Sequence, residues 1–178
     1  GGMDQRKAHM YMRDVSDRLK LVKATCIHTP IIPSLKSISG RMDSSVIANQ
    51  NSSEKMSKSD PKSAILLHHG PSRIKKMMRG AHLDPFLDES PVHEIVQHIL
   101  LVTKNSLIIN RKQEYGGPLK INSIEEVRKM LAKEELHPLD YKEAVATELS
   151  EMLEPLREKI QQEPESFKAL EKLVMKHS

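Results

Sequence analysis

The chain has 178 residues, of which 38% are hydrophobic and 29% charged, with a net charge of +4; this is enough apolar material for one mid-sized domain or two small ones. Cys26 is the only cysteine, which excludes an internal disulfide and a cysteine-rich metal site and suits a reducing compartment. No apolar run approaches the roughly 18–20 residues that cross a bilayer, and no signal peptide precedes the first helical pattern, so a cytoplasmic protein without membrane attachment is expected.

The first element is helical. In GGMDQRKAHMYMRDVSDRL, Ala8, Met12, Val15 and Leu19 recur at three- and four-residue steps, and Asp4 is placed to cap the helix. A βα unit normally carries a strand ahead of such a turn, and none precedes Gly1. The sequence is therefore expected to be the downstream portion of a longer unit. LVKATCIHTPII follows as a short apolar strand stopped by Pro30, with Cys26 as a buried strand thiol. Residues 34–54 are rich in Ser and Asn and are expected to form a long, mobile loop.

Helices dominate afterwards. Pro71 starts a helix over PSRIKKMMRGA, and Pro91 another over PVHEIVQHILLV, each at the first helical position, where the missing N–H costs nothing. SLIINRKQEYGGPLKIN predicts two short strands joined at Gly116-Gly117. Ser123 and Glu126 form a capping box for the next helix. His137-Pro138 opens a longer helix with Leu149, Met152, Leu153, Leu156 and Ile160 on its apolar face and a kink expected at Pro155. Pro164 opens the last helix, with Phe167, Leu170 and Val174 on one face. The pattern is α/β followed by mainly α, with a boundary near residue 70.

Charge is concentrated in one place. Residues 55–79 hold seven Lys/Arg against the single acid Asp60, a local charge of +6 in a chain of net +4, which is either a solvated basic face or an attractor of phosphates. Within that run SSEKMSKSDPKSAI carries Lys55 and Lys58 three residues apart among serines. Two ammonium groups on a polar loop can hold a polyphosphate while negative charge moves onto it. If the loop closes only on that charge, its contacts are stronger in the transition state than in the ground state. The histidines show no metal-ligand spacing such as H-E-x-x-H, so no metal site is assigned, and the ten methionines read as core filler.

KMSKS is the signature loop of class I aminoacyl-tRNA synthetases. GGMDQRKAHM resembles the tyrosine-binding turn of the archaeal and eukaryotic tyrosyl-tRNA synthetases, and EYGGPLKINS and ELHPLDYKEAVATELSEMLEPLREKI resemble their anticodon-binding domain. The pieces follow the family's order and cover nearly the whole chain, most weakly across 34–54 and 80–110. Tryptophanyl-tRNA synthetases share a Gly-x-Asp-Gln turn and a KMSxS loop; LHPLD favours the tyrosyl branch.

The resemblance implies a partial class I Rossmann-type nucleotide-binding domain over residues 1–70 and a helical anticodon-binding domain over 71–178. It implies that Gly1 and Gly2 let the backbone approach the ribose of ATP, that Asp4 accepts from the ribose hydroxyls, and that Gln5 meets the α-amino group of tyrosine. Lys55 and Lys58 hold the β- and γ-phosphates of Mg-ATP in a loop that also includes Met56, Ser57 and Ser59, with Asp60-Pro61 ending it. Tyr115 stacks on an anticodon base, while His137, Pro138 and Asp140 read the anticodon, Asp140 accepting from guanine. Each has a plainer alternative: Asp4 as a helix cap, Tyr115 as a hairpin packing residue, and His137 and Asp140 as a cap and a first-turn acid. Lys75, Lys76 and Arg79 read as phosphate contacts or surface.

One family signature, His-Ile-Gly-His or a variant, is not in the sequence, nor are the residues that recognise the tyrosine hydroxyl. The implied activity is tyrosine–tRNA ligation with tRNA(Tyr), tyrosine and ATP as partners; the chain is expected to be inactive without an upstream half of the catalytic domain, and the family's manner of assembly implies a homodimer. The alternative is a non-catalytic tRNA-binding remnant or paralogue, or a tryptophanyl relative.

Overall fold

The computed structural model describes residues 2–36, 56, 60, 62–84 and 90–176. The chain forms two compact units, Gly1–Ile32 and Pro33–Ser178.

In the first unit a 3-10 turn, Met3–Gln5, leads into helix α1, Arg6–Arg18. The turn closes on main-chain bonds, Gln5 N–H donating to the Gly2 carbonyl at 3.0 Å. Asp4 lies inside this turn, and the N-cap position of α1 belongs to Gln5, which makes no side-chain cap bond. Asp4 is thus not the cap of α1, because the tight turn moves the helix start past it. The helix forms where its periodicity places it, yet Met12 is 41% and Leu19 62% exposed, and Ser16 is its one buried residue.

The strand expected over 21–32 is absent. Leu21, Val22 and Ile27 are 61%, 95% and 76% exposed, and Cys26 is half-buried rather than buried. Among the described residues of this unit the one strand-like pairing is a parallel bridge between Gly2 and Thr29. A strand of a parallel sheet draws its neighbours from distant crossovers, and without a flanking ladder an apolar sequence stays extended and unpaired.

The second unit holds the core. Helix α2 (Pro71–Gly80) is followed by α3 (Pro91–Ile95), which continues through a π-helical stretch, Val96–Leu100, into α4 (Leu101–Lys104). Strands β1 (Leu107–Ile109) and β2 (Leu119–Ile121) pair antiparallel, with Leu107 opposite Ile121 and Ile109 opposite Leu119. Alternation sends Leu107, Ile109 and Ile121 inward and leaves Ile108 48% exposed. Gly116 and Gly117, at φ 87° and 71°, occupy the left-handed region on the connection between the strands.

Helices α5 (Ile124–Ala132), α6 (Pro138–Gln162) and α7 (Pro164–Lys176) complete the chain. The capping box is formed: Glu126 N–H donates to Ser123 Oγ at 3.3 Å, and the Glu126 carboxylate accepts from Asn122 N–H at 2.9 Å. Helix α6 is the spine, with α2 and β1 packed on it. Its buried face begins earlier than the apolar pattern suggests, at Tyr141, Ala144, Val145 and Ala146, and continues to Leu149 and Leu153. Ile74 and Met78 of α2 and Tyr141 of α6 are fully buried, and His93 Nδ1 lies 3.1 Å from the Tyr141 hydroxyl. Burial holds that phenol far above its ordinary pKa, so it stays protonated. Helix α6 runs on through Pro155, where the buried Arg157 donates back to the Ser150 carbonyl at 2.6 Å and pairs with Glu154.

Candidate functional site

The first unit presents Gly2, Asp4 and Gln5. Gly2 is extended, so its backbone angles suit any residue; its requirement is space. A Cβ there would stand 2.7 Å from Asp4 Oδ1 and 3.5 Å from Ile31 Cγ1. A side chain at Gly2 would push the Asp4 carboxylate out of place. Asp4 and Gln5 are exposed on the turn. Behind them α1 is tied to the extended segment by a ring nitrogen contact of 3.0 Å between His9 Nδ1 and His28 Nε2, and by Arg13 donating to the Ala24 carbonyl. Desolvation, and then the neighbouring His9, hold His28 below its ordinary pKa, which favours the neutral ring able to share that hydrogen bond.

Of the signature loop, Lys55, Ser57, Lys58 and Ser59 lie outside the described residues, as do Gly1 and Pro61. Met56 is half-buried. Asp60 is fixed from several sides. Its carboxylate accepts from Lys62 N–H at 3.1 Å and pairs with Lys36, and its carbonyl accepts from Ser63 N–H at 2.9 Å and Ser63 Oγ at 2.8 Å. The Lys36 ammonium, then the Lys62 amide, hold the Asp60 carboxyl below its ordinary value.

The distal residues of the second unit lie on two segments tied by one side chain. Tyr115 ends a short 3-10 turn, Gln113–Tyr115, with its ring 61% exposed. His137 is the N-cap of α6, its Nδ1 accepting from Leu139 N–H at 3.2 Å, with Pro138 at the first helical position and Asp140 in the first turn. Arg111 joins the two loops: Nε donates to the Gly117 carbonyl at 3.1 Å and Nη1 to the Glu135 carbonyl at 2.9 Å. One rigid guanidinium thus holds the turn that follows Tyr115 against the segment that enters α6. Asp140 is half-buried and lines a hollow of about 270 Å³ with Asn110, Glu143, Thr147, Glu148 and others. Glu143 pairs with Lys75 and Arg79, and Glu148 and Glu151 with Lys104, so the charge of the hollow is mixed and the Asp140 carboxylate is there as a hydrogen-bond acceptor.

The family described as tRNA synthetases class I (W and Y) matches residues 1–154. The chain belongs to that family. Among its curated relatives, the tyrosine–tRNA ligase of Sulfurisphaera tokodaii is 38% identical over 175 residues, covering 97% of this chain and 48% of that protein. That of Aeropyrum pernix is 40% identical over 175 residues, covering 96% of this chain and 48% of the relative. The chain therefore spans about half the length of the curated relatives it matches. Among solved structures, tyrosyl-tRNA synthetase from Pyrococcus horikoshii, complexed with L-tyrosine, superposes with a TM-score of 0.77 at 28% identity, covering 96% of this chain and 50% of that one. The Aeropyrum pernix tyrosyl-tRNA synthetase gives 0.74 at 35% identity, covering 97% and 46%. The fold class is accordingly that of a partial α/β fold joined to a mainly helical one; among the described residues the two-stranded sheet β1–β2 lies in the second unit.

Sequence reasoning missed Arg111 and the His9–His28 pair. An arginine between a strand end and a Gly-Gly turn is a faint signal, since only a long, planar donor reaches two carbonyls on different loops. The histidine pair joins residues 19 apart in sequence, and neither residue has a pattern of its own.

Proposed function

We propose that this chain is the portion of a tyrosine–tRNA ligase that supplies the signature-loop half of the catalytic site and the anticodon-reading domain. In that reading residues 1–70 belong to the Rossmann-type catalytic domain and 71–178 form the anticodon-binding domain, working in the cytoplasm with tRNA(Tyr), tyrosine and Mg-ATP as substrates. The tyrosine carboxylate attacks the α-phosphorus of ATP and pyrophosphate leaves. No general base is needed, because the carboxylate is already ionised; positioning and charge stabilisation supply the rate. Gly1 and Gly2 admit the nucleotide ribose, Asp4 accepts from its hydroxyls and Gln5 receives the tyrosine amino group. Lys55 and Lys58 take the β- and γ-phosphates, with Met56, Ser57 and Ser59 completing the loop. The activity belongs to the protein completed by the upstream half of the catalytic domain.

The observation that carries the reading is the Arg111 tie, which fixes an exposed aromatic turn against the capped start of α6. His137 caps with Nδ1, which leaves its exposed ring a face for a base. The Asp140 carboxylate, an acceptor only, suits the donor edge of guanine better than a phosphate. The test is a binding titration with a tRNA bearing a tyrosine anticodon and with anticodon-substituted tRNA. Asp140→Ala is expected to lose roughly 1–3 kcal/mol of discrimination at the anticodon guanine. Equal loss toward every tRNA, with helix melting, would make Asp140 a helix-start residue only.

A further inference from the structure

The basic run over residues 55–79 is not one surface. On α2, Lys75 and Arg79 stand one turn apart and both face Glu143 of α6, Lys75 in direct ion pairing and Arg79 at 3.5 Å. These two cations are answered within the protein. A different stripe of the same helix, Arg73, Lys76, Met77 and Gly80, follows the i, i+3, i+4, i+7 spacing of one helical face and lines a hollow of about 360 Å³ closed by Leu35, Lys36 and Lys62.

Four cations from three segments converge there, and the backbone that brings them is pinned. Leu35 N–H donates to the Ser63 carbonyl at 2.9 Å, and His82 N–H donates to the Leu35 carbonyl at 2.8 Å. Residues 34–36 are thereby sewn between the segment after the signature loop and the end of α2. Ser34, Leu35, Ser63 and Ala64 are buried, while the four cationic residues are exposed. Asp60 pairs with Lys36, and Arg73 has an interaction of its own; among the described residues no carboxylate or side-chain amide lines the hollow itself. Like charges held together repel one another, and a concave surface of one sign focuses its field on an oppositely charged ligand. Gly80 leaves the rim open, since a Cβ there would meet nothing within 4 Å.

We propose that this hollow is a phosphate site that takes the backbone of tRNA, separate from the residues that read the anticodon. The inference rests on the reading of the chain as tRNA-binding. Ammonium and guanidinium groups with no base-edge acceptor among them bind charge rather than sequence. The site therefore adds affinity equally for every tRNA, and its contribution falls with salt as counterions are released.

The test is the double variant Lys62→Ala/Lys76→Ala in the full chain, titrated by fluorescence anisotropy against cognate and anticodon-substituted tRNA over a range of salt concentrations. Lys75→Ala/Arg79→Ala removes the same formal charge and serves as the matched control. The expected result is equal fold-loss for both tRNAs and a log K against log salt slope flattened by about 1 per lost contact, with the control close to wild type in slope. Wild-type affinity and slope in the double variant overturn the proposal. So does a loss confined to cognate tRNA, which would make the hollow a base reader. Calorimetry with inorganic pyrophosphate separates the sources of phosphate: if the double variant loses pyrophosphate binding while keeping its tRNA affinity, the hollow serves a nucleotide and the RNA assignment fails. Should the wild-type chain bind neither tRNA, the tRNA-binding reading falls and this proposal with it, whereas a wild type that binds beside an unaffected variant removes the hollow alone.

Discussion

Residues 1–32 and residues 33–178 carry apolar sequence of the same quality, and only the second unit buries it. Val22 and Ile27 in the first unit are 95% and 76% exposed, while Leu107, Ile109 and Ile121 in the second are exposed by 1% or less. The difference lies in where each segment finds its partner. The hairpin carries its own, because β1 and β2 are joined by a connection over residues 110–118 that turns at Gly116-Gly117, and β1 rests on α6. The 21–32 segment is an apolar strand sequence whose neighbours in a parallel sheet would come from far along a chain. Apolar alternation announces a capacity for pairing, and the pairing itself depends on what lies beside it.

Truncation in the two units should expose this contrast most strongly. Leu107→Ala, at a fully buried position, is expected to cost about 2–5 kcal/mol through lost burial and the cavity left behind. Val22→Ala is expected to stay within about 0.5 kcal/mol of wild type, as exposed positions do. Chemical denaturation of both variants checks the pair. A comparable loss from Val22→Ala would mean that the first unit's apolar surface is covered, and the comparison would break.

The same distinction decides what could be read from the sequence. Elements closed by neighbours in sequence were legible: Pro71 and Pro91 at helix starts, the Ser123/Glu126 capping box, the Gly116-Gly117 turn and the His137-Pro138 entry into α6 all stand where their chemistry puts them. Features that depend on distant partners were not. The absent strand, the half-buried Cys26, the π-helical stretch at Val96–Leu100 and the early buried face of α6 at Tyr141 and Val145 follow from packing that no local pattern encodes. At the candidate site, the family resemblance pointed to Tyr115, His137 and Asp140, but not to Arg111, which ties the loop after Tyr115 to the segment before His137. Nor did the basic run show that Lys75 and Arg79 are answered by Glu143 while Lys76 and Lys62 line one hollow.

Arg111 sharpens the comparison from the side of the second unit, where order is built by long-range ties. Arg111→Ala removes two charge-assisted bonds to carbonyls on separate loops, each typically worth about 1.5–3 kcal/mol. Partial exposure and relaxation of the freed carbonyls into water reduce the expected loss of stability to roughly 1–2 kcal/mol. On the proposed tRNA-binding reading, discrimination between tRNAs should fall by more than general affinity does, because the Tyr115 turn and the start of α6 lose their tie while the cations of the proposed phosphate hollow are untouched. Arg111→Lys should recover part of the stability and little of the discrimination, since one ammonium lacks the fork that reaches both carbonyls. Equal recovery of both would show that charge alone sufficed.

The smallest effect separates the two units by pH. In the first, His28 has a pKa below its ordinary 6.5 because desolvation, then His9, disfavour its charged form. The unfolded chain therefore binds a proton that the folded one refuses, and the stability associated with the pair is fully present above the ordinary value and declines as pH falls below it. In the second unit desolvation, then His68, also lowers His69, which lies on the turn ahead of α2, whereas the group that pairs α2 with α6 is a lowered carboxylate. Glu143 is held below its ordinary 4.5 first by its hydrogen bond from Lys75, so its contribution is present above that value and is lost only as pH falls through the depressed one. Between about pH 7 and pH 5 α1, and locally the turn that holds His69, should loosen while the Glu143 pairing of α2 with α6 is kept. Hydrogen exchange, corrected for intrinsic rates, should then show falling protection in α1 and constant protection in α6. His28→Asn, which cannot titrate, should remove the pH dependence in α1. If α1 and α6 lose protection in parallel, or if His28→Asn retains the dependence, the histidine pair is not what fastens α1 to the extended segment.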